Sequence, residues 1–368
     1  MRRHADSEPA TSAEPSHYYG QVDLLKGMAI LSVIVMHSVD ELWLRRVGYG
    51  FYILQAVPVF LVLMGMASAR TFVREDGSSL STRRDYFKRK AWRLVAPWLE
   101  LFVVTASLRA ILSIATHRLR LGIGWQTLLF VLPVSGPGNY FVAVAIQWVL
   151  VAPFVWAWYR RHPGVMMSLL FLATFITIVG VWLAPGGAAG PLGDTIHHTA
   201  LPFLFALGLG VWISSDWSFA SPRNRWIYAF ATLGVVQIAL TTFLGKSSLP
   251  VLGGPGAENP FTFSWAAVLV MLGMTHLPSR AVRRAWEPLA VIGKASYHIF
   301  LLQIVWFGTG APSRFVGAVS PWLPGSLAVV CVLLSSLAVC LPLGVAWFRL
   351  EGGRRHSPLK SQPAQADV

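Results

Sequence analysis

VDLLKGMAILSVIVMHSVDEL (Val22–Leu42) decides the fold class. The run is long and apolar enough to cross about 30 Å of hydrocarbon as a helix. It nevertheless carries Asp23, Lys26 and His37. Ionisable groups are expensive in lipid, so such a helix must turn one face toward protein or water. Lys26 and His37 are eleven positions apart. A helical repeat of 3.6 residues returns them to within about 20° of one face, about 16 Å apart along the axis. Asp23 belongs to the same stripe, about 40° from His37 on its other side.

The rest of the 368-residue chain has the same character: 55% of residues are hydrophobic, 12% are charged, and the mean hydropathy is +0.56. A soluble globule carries about 25% charged residues, so a set of soluble domains is excluded. The few charges are lopsided, 30 Lys and Arg against 16 Asp and Glu, for a net +14. With so much apolar sequence this is no disordered polyelectrolyte, and no basic stripe outside the apolar runs offers a nucleic-acid surface. Apolar runs of spanning character fall at about 23–44, 50–69, 92–115, 139–159, 165–183, 198–214, 226–244, 261–277, 288–308 and 323–348. The fold class is therefore all-α, a polytopic integral membrane protein of about ten transmembrane helices over residues 20–350. Polar tails at 1–19 and 351–368 are expected to be disordered, and residues 1–19 lack the apolar core of a secretory signal. Leu121–Val134 is short and reaches Pro133, which suits an interfacial or re-entrant segment.

Positive charge sets the orientation. The connection Arg70–Arg93 alone holds eight basic residues, and Arg2, Arg3, Lys26, Arg160, Arg161, Arg223, Arg225, Arg280, Arg283, Arg284, Lys294, Arg349, Arg354, Arg355 and Lys360 lie on the same side. Arg45, Arg46, Arg118, Arg120, Lys246 and Arg314 lie on the other. Both termini are thus expected in the cytoplasm, as an even number of spans requires. Arg74, Arg83 and Arg84 are accounted for by topology and anionic lipid headgroups. The Gly- and Pro-rich outer loops Ala184–His198 and Gly245–Pro260 read as irregular caps. Cys331 and Cys340 sit on opposite faces of one run, so they form no disulfide with each other, and no metal site is expected.

His37 lies in the outer half of its span. An imidazole is suited to take a proton from a hydroxyl near neutral pH. Asp40 and Glu41 follow at i+3 and i+4, where a continuing helix would let either orient the ring. A structural His bonded to a neighbouring helix, or the proton relay of a transporter, would use the same residue types.

Several stretches together are similar to the membrane acyltransferase 3 family. DLLKGMAILSVIVMH (Asp23–His37) resembles its first span, a basic residue, ten residues, then His, with Lys26 where many members have Arg. PVFLVLMG (Pro58–Gly65) resembles its PxFFxxSG element, with Met64 for Ser, and KAWRLVAPW (Lys90–Trp98) its RxxRxxxP element, with Lys90 for the first Arg. GNYFVAVAIQWVLVAP (Gly138–Pro153), LPFLFALGLGVWI (Leu201–Ile213) and IGKASYHIFLLQ (Ile292–Gln303) resemble later spans, in the family's order. The resemblance covers most of residues 20–310. It implies transfer of an acyl group, often acetyl, from cytoplasmic acyl-CoA to a hydroxyl of a glycan, glycoside or glycolipid, in the inner (plasma) membrane of a bacterium. His37 would be the essential His, as base or acyl carrier, and Lys26, Lys90 and Arg93 would hold the acyl-CoA. Asp23, Asn139, Tyr297 and Gln303 are expected at the acceptor. The partners implied are the bilayer, acyl-CoA and a carbohydrate acceptor. The rival reading is a transporter or flippase of a glycan or lipid-linked intermediate with a His37 and Asp23 proton relay. It expects a repeat relation between halves, and none is visible.

Overall fold

The computed structural model describes residues 19–74, 80–115, 124–134, 136–187, 190–244, 258–279, 285–319 and 325–356. Among these residues all regular structure is helical. The chain runs through α1 (Gly20–Ser38), a short α2 (Glu41–Arg46), α3 (Ala56–Arg74), α4 (Leu80–Ala115), α5 (Asn139–Tyr159) and α6 (Pro163–Leu183). It continues through α7 (Pro191–His197), α8 (Leu204–Ile213), α9 (Arg225–Leu244), α10 (Pro260–His276), α11 (Glu287–Lys294), α12 (Ser296–Gly308), α13 (Ala311–Val319) and α14 (Gly325–His356).

Seven helices among the described residues are long and apolar enough to cross a membrane: α1, α3, α4, α5, α6, α9 and α14. Two bent pairs meet the same requirement jointly, α7 with α8 at 57° and α11 with α12 at 70°, giving up to nine. The tenth expected run is α10, apolar but only 17 residues long. Leu121–Val134 is not a span: its described part is a 3₁₀ helix, Trp125–Leu129, followed by loop.

The α1 helix sits inside the bundle, against α3, α10, α11, α12 and α14. Leu24, Ile30, Val33 and Ile34 are buried along it. A single apolar core unites α1, α3, α5, α8, α10 and α12. The rim helices turn side chains such as Val104, Leu108 and Ile111 of α4, Ile176 of α6, Phe243 of α9 and Leu334 of α14 outward, the surface that lipid covers. Lipid tails are as apolar as these side chains, so close packing rather than water expulsion holds the helices together. At Gly65 and Gly210 the backbones of α3 and α8 touch: a Cβ on Gly65 would overlap the Leu207 carbonyl, and one on Gly210 the Val62 carbonyl.

Two expectations about the loops and ends change. Ala184–His198 is not wholly irregular, since Pro191 opens the helix α7 within it. Most of the second outer loop, 245–257, lies outside the described residues, as do 1–18 and 357–368 of the tails. The segment 351–356, read as tail, is helical, because α14 runs on to His356. Glu351 explains the extension: its Oε2 lies 2.7 Å from His298 Nε2, both side chains being largely buried, which fastens the last turns of α14 to α12.

Candidate active site

His37 is half-buried near the end of α1, its ring 5.7 Å from that of Phe307 on α12. The helix does not continue past it. Ser38 is the last helical residue and Val39 is extended (φ −113°, ψ 138°). Asp40 then starts α2 as its N-cap, Oδ1 accepting from the Leu42 amide at 2.8 Å. The Glu41 carboxylate accepts from Arg45 (2.8 and 3.1 Å) and from the Tyr49 hydroxyl (2.9 Å). Those bonds, Arg45's first, hold the Glu41 carboxyl below its ordinary value. The expectation that Asp40 or Glu41 orients His37 assumed an unbroken helix. The break at Val39 turns both carboxylates to the α2 segment, and among the described residues no carboxylate is hydrogen-bonded to His37.

At the other end of α1, Asp23 is buried, 7% exposed, and Lys26 is half-buried. The charged groups acting on Asp23 are Lys26, Lys294 and Arg93, and those acting on Lys26 are Asp23 and Arg93. Two of the three basic residues singled out in the sequence, Lys26 and Arg93, are therefore near enough to act on each other electrostatically. The third, Lys90, is half-buried three positions before Arg93 on α4. Tyr297 ties α12 to the same place, its hydroxyl donating to the Leu94 carbonyl at 2.8 Å. Asp23 and Tyr297, expected at the acceptor, thus lie at the basic end of the bundle, away from His37.

Asn139 and Gln303 are engaged with backbone. Asn139 Oδ1 accepts from the Leu132 amide (2.9 Å), and Nδ2 donates to the carbonyls of Leu132 (3.0 Å) and Val134 (2.9 Å). Gln303, one turn before Phe307, donates to the Pro137 carbonyl at 3.1 Å. Its Oε1 is buried and makes no hydrogen bond.

The model of the family described as an acyltransferase domain, Acyl_transf_3, matches residues 19–345. This chain belongs to the acyltransferase 3 family. Neither a curated protein nor a solved structure gives a match. The match spans every helix from α1 to α13 and most of α14, so the protein is a multi-pass membrane acyltransferase whose catalytic fold is the bundle itself.

This acyltransferase also carries a polar cluster that the sequence reading passed over. At the end of the bundle where His37 lies, the Tyr140 hydroxyl donates to Glu258. The His197 ring is 4.1 Å from the Tyr140 ring, and its Nδ1 is 3.8 Å from Glu258 Oε2. Beside them His198 Nδ1 donates to the Asp194 carbonyl (2.7 Å), and Gln126 donates to the Asp194 carboxylate (2.6 Å). The signal was two adjacent His residues, His197 and His198, in a chain with few charges. Lys294 was likewise counted only toward orientation, and Ser68, buried on α3, receives hydrogen bonds from Trp148 (3.1 Å) and Tyr86 (3.5 Å). Among the described residues no group of three or more His, Cys, Asp or Glu is arranged to hold a metal ion.

Proposed function

We propose that this acyltransferase takes its acyl group from acyl-CoA at the end of the bundle bearing Lys26, Lys90 and Arg93, and passes it to a hydroxyl of a glycan, glycoside or glycolipid at the His37 end. The donor end faces the cytoplasm and the acceptor end lies outside the inner membrane. We count α10 as a span, which gives ten and leaves both termini cytoplasmic. The observation that carries the reading is the division of α1: a cluster of cations at one end, and a half-buried His against Phe307 at the other.

Phosphates of CoA bind Lys26, Lys90 and Arg93 through charge-assisted contacts. The pantetheine arm, about 20 Å long, spans the rise of about 16 Å between Lys26 and His37. There the imidazole acts on the acceptor hydroxyl as general base, or carries the acyl group between donor and acceptor. Asp40 and Glu41 hold the outer loop under the end of α1. Acetyl is the acyl group we assign first. The polar cluster of Tyr140, Glu258 and His197 lies on the acceptor side.

His37→Ala is expected to abolish acceptor-dependent release of free CoA from acetyl-CoA, while the variant still inserts and purifies like the parent. Undiminished product from that variant would remove His37 from the reaction. A parent protein that releases no CoA with any hydroxyl acceptor would instead remove the donor.

A further inference from the structure

Asp23 and Lys294 are brought together by an unusually close helix pair. A Cβ on Gly27 of α1 would overlap the Leu289 carbonyl of α11, and one on Gly293 of α11 would overlap the Asp23 carbonyl of α1. Backbones in contact at both points hold one register between the helices. Lys294 follows Gly293 directly, at the last residue of α11, where the chain bends by 70° into α12. The Tyr297 hydroxyl then fixes the first turn of α12 to Leu94, the neighbour of Arg93 on α4. Four charged side chains from three helices thus converge: Asp23 and Lys26 from α1, Lys294 from α11 and Arg93 from α4.

The carboxylate is the odd member. Asp23 is 93% buried by its 7% exposure, three cations act on it, and its Oδ2 makes no hydrogen bond. A buried carboxylate oxygen without a donor keeps its charge only where nearby positive charge compensates it. We infer that Lys294 is a fourth cation, beside Lys26, Lys90 and Arg93, of a phosphate-binding site at the donor end, and that Asp23 is its built-in anion, holding the cations together until the donor's phosphates replace it. The carboxylate and the phosphate are alternatives for the same positive charge. Asp23 therefore opposes binding of the anion while keeping the empty site assembled. The ligand class is a phosphoanhydride or phosphate monoester. Its identification with CoA rests on the acyl-CoA reading above, but the anion site does not.

The test uses the full-length protein in detergent, titrated calorimetrically with coenzyme A, with inorganic pyrophosphate and with phosphate-free pantetheine. Lys294→Ala should weaken coenzyme A and pyrophosphate by about tenfold, the scale of one charge-assisted contact, and leave pantetheine unchanged. Lys294→Arg should recover most of the loss. Asp23→Asn should tighten both anions several-fold, a gain that a merely structural role for Asp23 would not produce. Lys294→Ala binding both anions like the parent would overturn the inference, as would Asp23→Asn binding them more weakly. A parent protein that binds pyrophosphate through Lys294 but not coenzyme A would keep the site and discard the acyl-CoA donor. A parent that binds neither discards both.

Discussion

At the residue scale, spacing along one helix was readable and partnership across helices was not. Lys26 and His37 lie on one α-helix, as their eleven-residue separation requires. Asp40 and Glu41 were assigned by the same arithmetic, and it failed where the helix stopped at Ser38. Lys294 could not be paired with Asp23 from sequence, because about 270 positions separate them and only the contact of α1 with α11 joins them. Asn139, expected at the acceptor through the family resemblance, makes three buried bonds, all to Leu132 and Val134. Replacing it by Leu would strand one amide and two carbonyls, each costing about 1–3 kcal/mol when buried without a partner. Asn139→Leu is expected to lower the melting temperature in detergent markedly, while the fraction that remains folded keeps the parent's acceptor KM. A raised KM with unchanged melting would return Asn139 to the acceptor.

At the element scale, apolar runs located the helices but concealed their breaks. The run 198–214 read as one whole span, whereas it forms only a 3₁₀ turn at Leu201–Phe203 and α8, and reaches spanning length jointly with the preceding α7, bent from it by 57°. Composition cannot reveal such a break, because its backbone groups are satisfied from elsewhere. Gln147 on α5 does this. Its Nε2 donates to the His198 carbonyl at 3.0 Å and its Oε1 accepts from the Ala200 amide at 2.8 Å. Interrupted helices are tolerated at membrane depth only when the freed groups find such partners. Its two bonds make Gln147 the clasp of a bend. Gln147→Leu keeps the volume and removes both bonds. It is expected to raise amide exchange specifically at residues 196–203 and to cost about 1–3 kcal/mol of stability. Unchanged exchange there would mean that the bend is held by packing alone.

For the whole molecule, the basic residues define an orientation whose weakest link is α10. Seven helices and two bent pairs meet the length of a span, and α10 with 17 residues does not. At 1.5 Å per residue it covers about 25 Å, short of the roughly 30 Å of hydrocarbon. Its ends favour crossing all the same. Asn259 caps it through a capping box with Thr262, so its first amides are satisfied at one boundary, and exposed His276 marks the other. Phe263, Ala266, Ala267, Val270 and Met271 are buried between them. A short span is accommodated by local thinning of the bilayer, at fractions of a kcal/mol per Å. If α10 crosses, reporter fusions at residue 161, after residue 216 and at the C-terminus all report the cytoplasm, and fusions near 48 and 187 report the outside. A C-terminal reporter found outside would make the count odd. Lys294 and Glu351 would then lie on the opposite side from Arg160 and Arg161, even though Lys294 acts on Asp23 at the Lys26 end of α1. Lys294 can join Lys26 and Arg93 on one side of the membrane only if α10 completes its crossing, so the fusion series tests the four-cation donor end and the span count together.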